Sequence, residues 1–256
     1  MIRLLVANGC SCTRGQELVD PGSSAWPAVL ASRLGIPVAN LASDGGSNRR
    51  IVRTTVGNLD RVCREFGVPV EETLVLCMWT CVFRNEYHLR RPRDRTGRTD
   101  LPYETDWKRL GPWNFEEDDN ASNAHFRSML SEKGGTINLL TDWVLLDSYL
   151  RLRGAVPRYT FAWNVLPSKM PAEAVDLFRQ LDRTSVYGNK FESNGNSINQ
   201  LTWKKFEFGP GKHPLEAGHA YFAALLEAWL RDQGLKFPER ALSHRADGAD
   251  HDGAAS

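Results

Sequence analysis

No apolar run in this chain approaches the ~20 residues a membrane-spanning helix needs, so a bilayer-embedded function is not expected. An excess of charge of one sign is equally lacking, since 32 Lys and Arg against 31 Asp and Glu leave a formal net charge of +1. So flat a balance supplies no general attraction to nucleic acid or to an anionic membrane. The first residues, Met1-Ile2-Arg3-Leu4, lead into a strand pattern and lack the parts of a secretion signal, so a cytoplasmic location is expected. Cysteine is sparse and odd in number: Cys10, Cys12, Cys63, Cys77 and Cys81. They show neither the pairing of an oxidised secreted domain nor the repeated short spacing of a zinc site. Reduced thiols and no metal are the reading. No glycine-rich phosphate loop of the usual spacing occurs, which counts against nucleotide binding.

What is present is the make-up of an ordinary globular protein. Apolar residues are 41% and charged residues 25% of 256 positions, enough for one large domain or at most two small ones. Residues 2–7, 36–41, 73–79 and 159–163 read as strands. The third of these is apolar throughout, as a strand buried on both faces must be. Helical spacing covers about 26–34, with Ser23-Ser24 as the cap and Gly35 as the stop, then 48–66, 122–153, 171–181 and 215–235. Gly134-Gly135 is expected to interrupt the third of these. Strand and helix alternate about four times, the signature of an α/β protein with a parallel sheet covered on both faces.

Residues 84–120 break this pattern. Arg84, Arg90, Arg91, Arg93, Arg95 and Arg98 crowd one half, and Glu116-Glu117-Asp118-Asp119 close the other. A stretch of that length reads as an inserted loop or lid, and Trp107 and Trp113 within it favour an ordered one. The organisation expected is one domain over 1–236 carrying this insertion, followed by a disordered tail, 237–256, of small polar residues.

Three features converge on one edge of such a sheet. Gly9-Cys10-Ser11-Cys12-Thr13-Arg14-Gly15 follows the first strand, Gly45-Gly46-Ser47-Asn48 follows the second, and His213-Pro214 precedes the last helix. Ligands of open α/β sheets sit at the carboxyl ends of the strands. A serine there, flanked by glycines, can present its hydroxyl on a tight strand-to-helix turn. It needs an imidazole to take its proton, and a tetrahedral oxyanion needs fixed donors. A glycine amide is one donor, and the Ser11 amide or the Asn48 side chain is another.

In this order the motifs resemble the SGNH (GDSL-type) hydrolases, and most closely the branch of bacteria and their phages that begins Gly-Cys-Ser instead of Gly-Asp-Ser. The resemblance covers most of residues 1–235. It implies a three-layer α/β/α, flavodoxin-like fold with a parallel central sheet, no metal or other cofactor, and ester or acetyl hydrolysis. Residue by residue, Ser11 matches the nucleophile, Gly45 the oxyanion glycine and His213 the base. Two positions depart from the pattern. Pro210 stands where the family has the aspartate that orients the histidine, so another partner, such as a backbone carbonyl, is required. The Gly-x-Asn-Asp motif after the third strand is replaced by Trp79-Thr80-Cys81-Val82-Phe83-Arg84-Asn85-Glu86, with Asn48 or Thr80 as substitutes for its donor.

Other residues read more plainly. His219 is a packed helix histidine, Cys77 is core, and Trp79 is core or the floor of a pocket. Arg84 and Glu86 lie at the same edge and form an ion pair, hold substrate, or do both; Thr80 is grouped with them as substrate-binding. Cys10 or Cys12 as nucleophile is the minor alternative to Ser11. The function expected is a serine esterase or deacetylase that acts through an acyl-enzyme on Ser11. Its substrate would be a small-molecule or carbohydrate ester, anionic if the arginine-rich insertion closes over the site. The alternatives are acyl transfer at the same site and a catalytically weak protein that binds a ligand there.

Overall fold

Complete burial is what makes two of the runs central strands. In β1 (Leu4–Asn8) and β3 (Thr73–Trp79) every residue is buried, as happens only between two covering layers. With β2 (Val38–Asn40) and β6 (Val156–Phe161) they form a parallel sheet in the order β2-β1-β3-β6. β4 (Asn85–His88) and β5 (Trp107–Leu110) pair separately as an antiparallel ribbon. The computed structural model describes residues 1–88, 106–115, 124, 131–163, 165–189 and 196–239. The register runs Leu4↔Thr73 to Asn8↔Cys77 and Leu74↔Val156 to Trp79↔Phe161. Pro157 is tolerated in β6 because, among the described residues, the outer side of that strand makes only single bridges, at Val186 and Ser197.

One face of the sheet is covered by α4 (Asn48–Phe66) and α5 (Glu132–Leu152), where Ile51, Leu59, Leu139 and Trp143 meet Leu4, Val6, Val75 and Cys77. Burial pushes the Cys77 thiol up to about 12, as suits a core residue. Two short helices, α6 (Val175–Arg179) and α7 (Ile198–Thr202), lead to α8 (Glu216–Asp232), which with α3 (Trp26–Leu34) covers the other face, with Trp26, Leu30, Phe222 and Leu226 over Leu5, Ala7, Leu76 and Met78. The architecture is therefore three-layered α/β/α around a parallel sheet. Trp79 stacks on Tyr159 with ring centroids 5.8 Å apart and lies 5.4 Å from Trp143, so it is a core pillar. No helix among the described residues is long and apolar enough to cross a membrane.

Two local expectations need correction. Ser23-Ser24 does not cap α3. Those residues lie in the single turn α2 (Pro21–Ser24), which Asp20 caps by accepting the Gly22 N–H at 3.0 Å. Gly134-Gly135 does not break α5 but sits in its first turn, where Ser131 accepts the Gly134 N–H. Gly135 is needed for contact, since a Cβ there would lie 2.7 Å from the Val82 carbonyl oxygen. The insertion is in part regular, because β4 and β5 both fall within it. The arginines between 90 and 98, and the tail from 240 onward, lie outside the described residues.

The cap of α3 comes instead from across the layer. The Trp26 N–H donates to His219 Nδ1 at 3.0 Å, so the imidazole on α8 fills the place of a capping side chain. His219 is fully buried, and burial, seconded by the charge of His213, lowers its pKa to about 4. Because the folded-state pKa lies below the ordinary 6.5, chiefly through burial, the stability of the fold with a neutral His219 is fully present above pH ~6.5 and is lost as pH falls towards 4. The whole effect is worth about 3 kcal/mol. Urea unfolding at pH 7 and pH 4.5 should show this loss in the wild-type protein, and His219→Gln should flatten the dependence in that window. An unchanged slope in the variant would rule out His219 as its source.

Candidate active site

The turn after β1 is held from both sides. Asn8, the last residue of β1, donates from Nδ2 to Thr54 Oγ1 and Thr55 Oγ1, each at 2.8 Å, and accepts the Gly9 N–H at 2.8 Å. A side chain at Gly9 would lie 2.1 Å from Thr13 Oγ1, so the chain can pass there only as glycine. One helical turn follows, α1 (Ser11–Arg14), and Gly15 at φ 85° reverses the chain. Ser11 is thereby fixed at the carboxyl edge of the sheet.

His213 reaches Ser11 from the loop before α8. Its Nε2 lies 2.8 Å from Ser11 Oγ, and its Nδ1 lies 2.8 Å from Glu17 Oε2. The Glu17 carboxylate also accepts the N–H groups of Gly211 at 2.7 Å and of His213 at 3.2 Å. Burial raises the Glu17 pKa, but the Gly211 amide and the His213 ring and amide outweigh it and hold the carboxyl below its ordinary value. A carboxylate at Nδ1 fixes the proton there and leaves the Nε2 lone pair facing the Ser11 hydroxyl. Glu17 and Lys212 both adopt left-handed φ, at 73° and 63°, a local strain of order 1 kcal/mol each. Such strain persists where the surrounding contacts over-determine it, here the carboxylate with its three donors.

Glu17 is the residue the sequence reading missed. It replaces both the absent aspartate at Pro210 and the backbone carbonyl expected in its stead. It stands 196 residues from His213 in the chain, and its only signal was an acid six residues after Ser11.

The remaining predicted residues divide. The N–H groups of Ser11 and Gly45 have no acceptor among the described residues. Gly45 has φ 66°, and Gly46 packs so closely that a Cβ would lie 2.9 Å from the Gly9 carbonyl oxygen. Asn48 does not face this space freely. Its side chain is closed on the backbone of Thr80, accepting the N–H at 2.8 Å and donating to the carbonyl at 2.9 Å. It thus clamps the end of β3 to the start of α4, and Thr80 itself is fully buried. Cys10 and Cys12 are fully buried in the core beneath the turn, and the hydrogen bond that Cys12 donates to Cys10, then burial, raises the Cys12 pKa.

Arg84 and Glu86 do not pair with each other. Glu86 takes a two-pronged contact from Arg53 at 2.7 and 2.8 Å with its own side chain wholly buried, and Arg53 lies 4.0 Å over the Trp107 ring. Glu86 therefore pins the β4–β5 ribbon to α4 and is not turned towards a ligand. Glu86→Ala is expected to cost about 2 kcal/mol in urea unfolding by stranding Arg53; a loss below 0.5 kcal/mol would remove the clamp. Among the described residues, no group of three or more His, Cys, Asp or Glu side chains is placed to hold a metal ion.

Residues 16–243 match the model of a family described as a family of unknown function (DUF6071). The chain belongs to that family. In this DUF6071 protein the match takes in Glu17 and His213 and begins after Ser11. No curated protein matches the chain in sequence. Solved structures similar to this DUF6071 chain include the psychrotrophic esterase EstA from Pseudoalteromonas sp., at 10% identity and TM-score 0.48, covering 90% of this chain and 98% of that one. A member of the lipolytic protein G-D-S-L family from Veillonella parvula DSM 2008 is similar at 10% identity and TM-score 0.42, covering 90% and 97%. The salicylyl-acyltransferase SsfX3 of a tetracycline biosynthetic pathway is similar at 13% identity and TM-score 0.45, covering 91% of this chain and 56% of that one. At such identities and TM-scores nothing of their chemistry transfers.

Proposed function

We propose that this chain is a serine acyl hydrolase of SGNH type, of the branch with Gly9-Cys10-Ser11 at its first motif, and that it cleaves an ester or acetyl group through an acyl-enzyme. The observation that carries this reading is the continuous hydrogen-bonded chain from Ser11 Oγ through the two nitrogens of His213 to Glu17, with 2.8 Å at each step. Ser11 Oγ attacks the carbonyl carbon as its proton passes to His213 Nε2. Glu17 holds the ring and stabilises the imidazolium that forms. The oxyanion accepts from the N–H groups of Ser11 and Gly45, each such donor being worth ~3 kcal/mol in the transition state. The tetrahedral intermediate collapses, the C–O bond to the leaving alcohol breaks, and His213 returns the proton to that oxygen. Water then repeats the sequence on the acyl-enzyme and frees Ser11.

A fluorophosphonate probe tests the first half of this cycle without a known substrate. The wild-type protein should be labelled, and Ser11→Ala and His213→Ala should not be. Absence of labelling in the wild type would count against the hydrolase. One observation favours a second reading, a pocket that binds without turnover: Ser11 keeps only 2% of its surface exposed. Water exclusion of that kind equally favours acyl transfer to an alcohol or amine over hydrolysis. Product analysis with added alcohol separates the two.

A further inference from the structure

Beside the Ser11 turn lies a cleft of about 590 Å³, between the segments that follow β3 and β6. Its walls are apolar and aromatic, with Val82, Trp113, Trp163 and Leu166 prominent. Its cation is Arg84, whose guanidinium carbon sits 4.7 Å from the Trp163 ring centroid and 5.1 Å from that of Trp113. Two other arginines of this edge are matched to carboxylates, Arg53 to Glu86 and Arg14 to Asp44. Arg84 has no carboxylate within ion-pair distance among the described residues. Its one hydrogen bond among the described residues is a long 3.5 Å contact from Nη1 to the Gly46 carbonyl, and its Nε is buried with no acceptor among them. The indoles flank this half-buried guanidinium, and its head is open to an anionic partner from the cleft.

The place of this cation gives the missing partner a role. Gly46, which accepts from Arg84, packs against the Gly9 carbonyl and Cys10, and Trp113 lies 3.2 Å from where a Gly45 Cβ would be. The cleft thus begins at the turn that carries the proposed oxyanion donor. Resting on the hydrolase reading for its ester part, we propose that Arg84 anchors a carboxylate of the substrate and that the cleft holds the apolar or aromatic body joining that carboxylate to the scissile ester. The planar guanidinium offers paired donors that match a carboxylate. Glu132, exposed in the first turn of α5, also lines the cleft without pairing to Arg84. Its charge opposes a dianion and selects a monocarboxylate over a phosphate ester.

The test compares 4-nitrophenyl hemiglutarate with 4-nitrophenyl pentanoate, esters of equal chain length that differ in the terminal carboxylate. The wild-type kcat/KM should favour the hemiglutarate by about 10-fold or more. Arg84→Met should bring the ratio to near one, and Arg84→Lys should leave an intermediate preference. A wild-type preference for the pentanoate, or a ratio unchanged in Arg84→Met, overturns the assignment. If neither ester is cleaved, the hydrolase reading fails separately, and calorimetry with 3-phenylpropionate against 3-phenylpropan-1-ol decides the anchor alone. Tighter binding of the acid, weakened about 10-fold in Arg84→Met, supports it. Equal binding of the two compounds, or no binding of the acid, overturns it.

Discussion

Ser11→Ala and His213→Ala are each expected to lower kcat on an ester substrate by about 10⁴–10⁶-fold, and the double variant by no more than the worse of the two. That non-additivity is the signature of groups acting in one proton transfer, and merely structural residues do not show it. Ser11→Ala removes one buried hydroxyl whose only partner among the described residues is His213, so the fold should survive and the loss should fall on kcat, not on KM. In His213→Ala the Glu17 carboxylate keeps the N–H donors of Gly211 and residue 213, so that variant too should fold. Full fluorophosphonate labelling of Ser11→Ala would place the nucleophile elsewhere. Activity within tenfold of wild type in His213→Ala would remove the base.

Glu17→Gln is expected to lower kcat by about 10³–10⁴-fold with little change in KM. The carboxamide keeps the volume and can still accept from Gly211, but it can turn an N–H donor towards His213 Nδ1. The imidazole then carries its proton on Nε2, facing the Ser11 hydroxyl, and cannot take another there. Glu17→Asp keeps the charge but shortens the reach, so it should retain more activity than Glu17→Gln. A thermal midpoint near that of wild type together with the kcat loss identifies orientation of the base as the cause. A kcat loss below tenfold would reduce Glu17 to a loop brace. The lowered pKa of Glu17 also has a stability consequence with a definite sign. Its hydrogen-bonded carboxylate stabilises the fold above the ordinary 4.5 and loses that effect as pH falls through the folded-state value. That loss lies on the acid side of most of the His219 window, so pH-dependent unfolding of the two single variants resolves them.

The local elements were legible where burial writes a period into the chain. The helix read at 48–66 is α4 (Asn48–Phe66), and the strand read at 73–79 is β3 (Thr73–Trp79). An amphipathic stripe and an unbroken apolar run each have one economical explanation. Ser11 and Gly45 were legible as positions for a related reason. Parallel strands send their following turns to one edge, so small residues after β1 and β2 meet without knowledge of the rest of the chain.

Partners were not legible. Glu17 meets His213, His219 caps α3, Glu86 closes on Arg53 instead of Arg84, and Asn48 clamps Thr80. Each pair joins residues 32 to 196 positions apart, and each polar group had several chemically adequate partners in the sequence. The order of strands and the seating of helices on the sheet chose among them by bringing two loops or two layers within hydrogen-bond distance. Sequence by itself determined the layers, the edge and the residue types gathered there. Tertiary structure decided which acid holds the histidine and which arginine meets Glu86, because a hydrogen bond depends on distance in space and leaves no period along the chain.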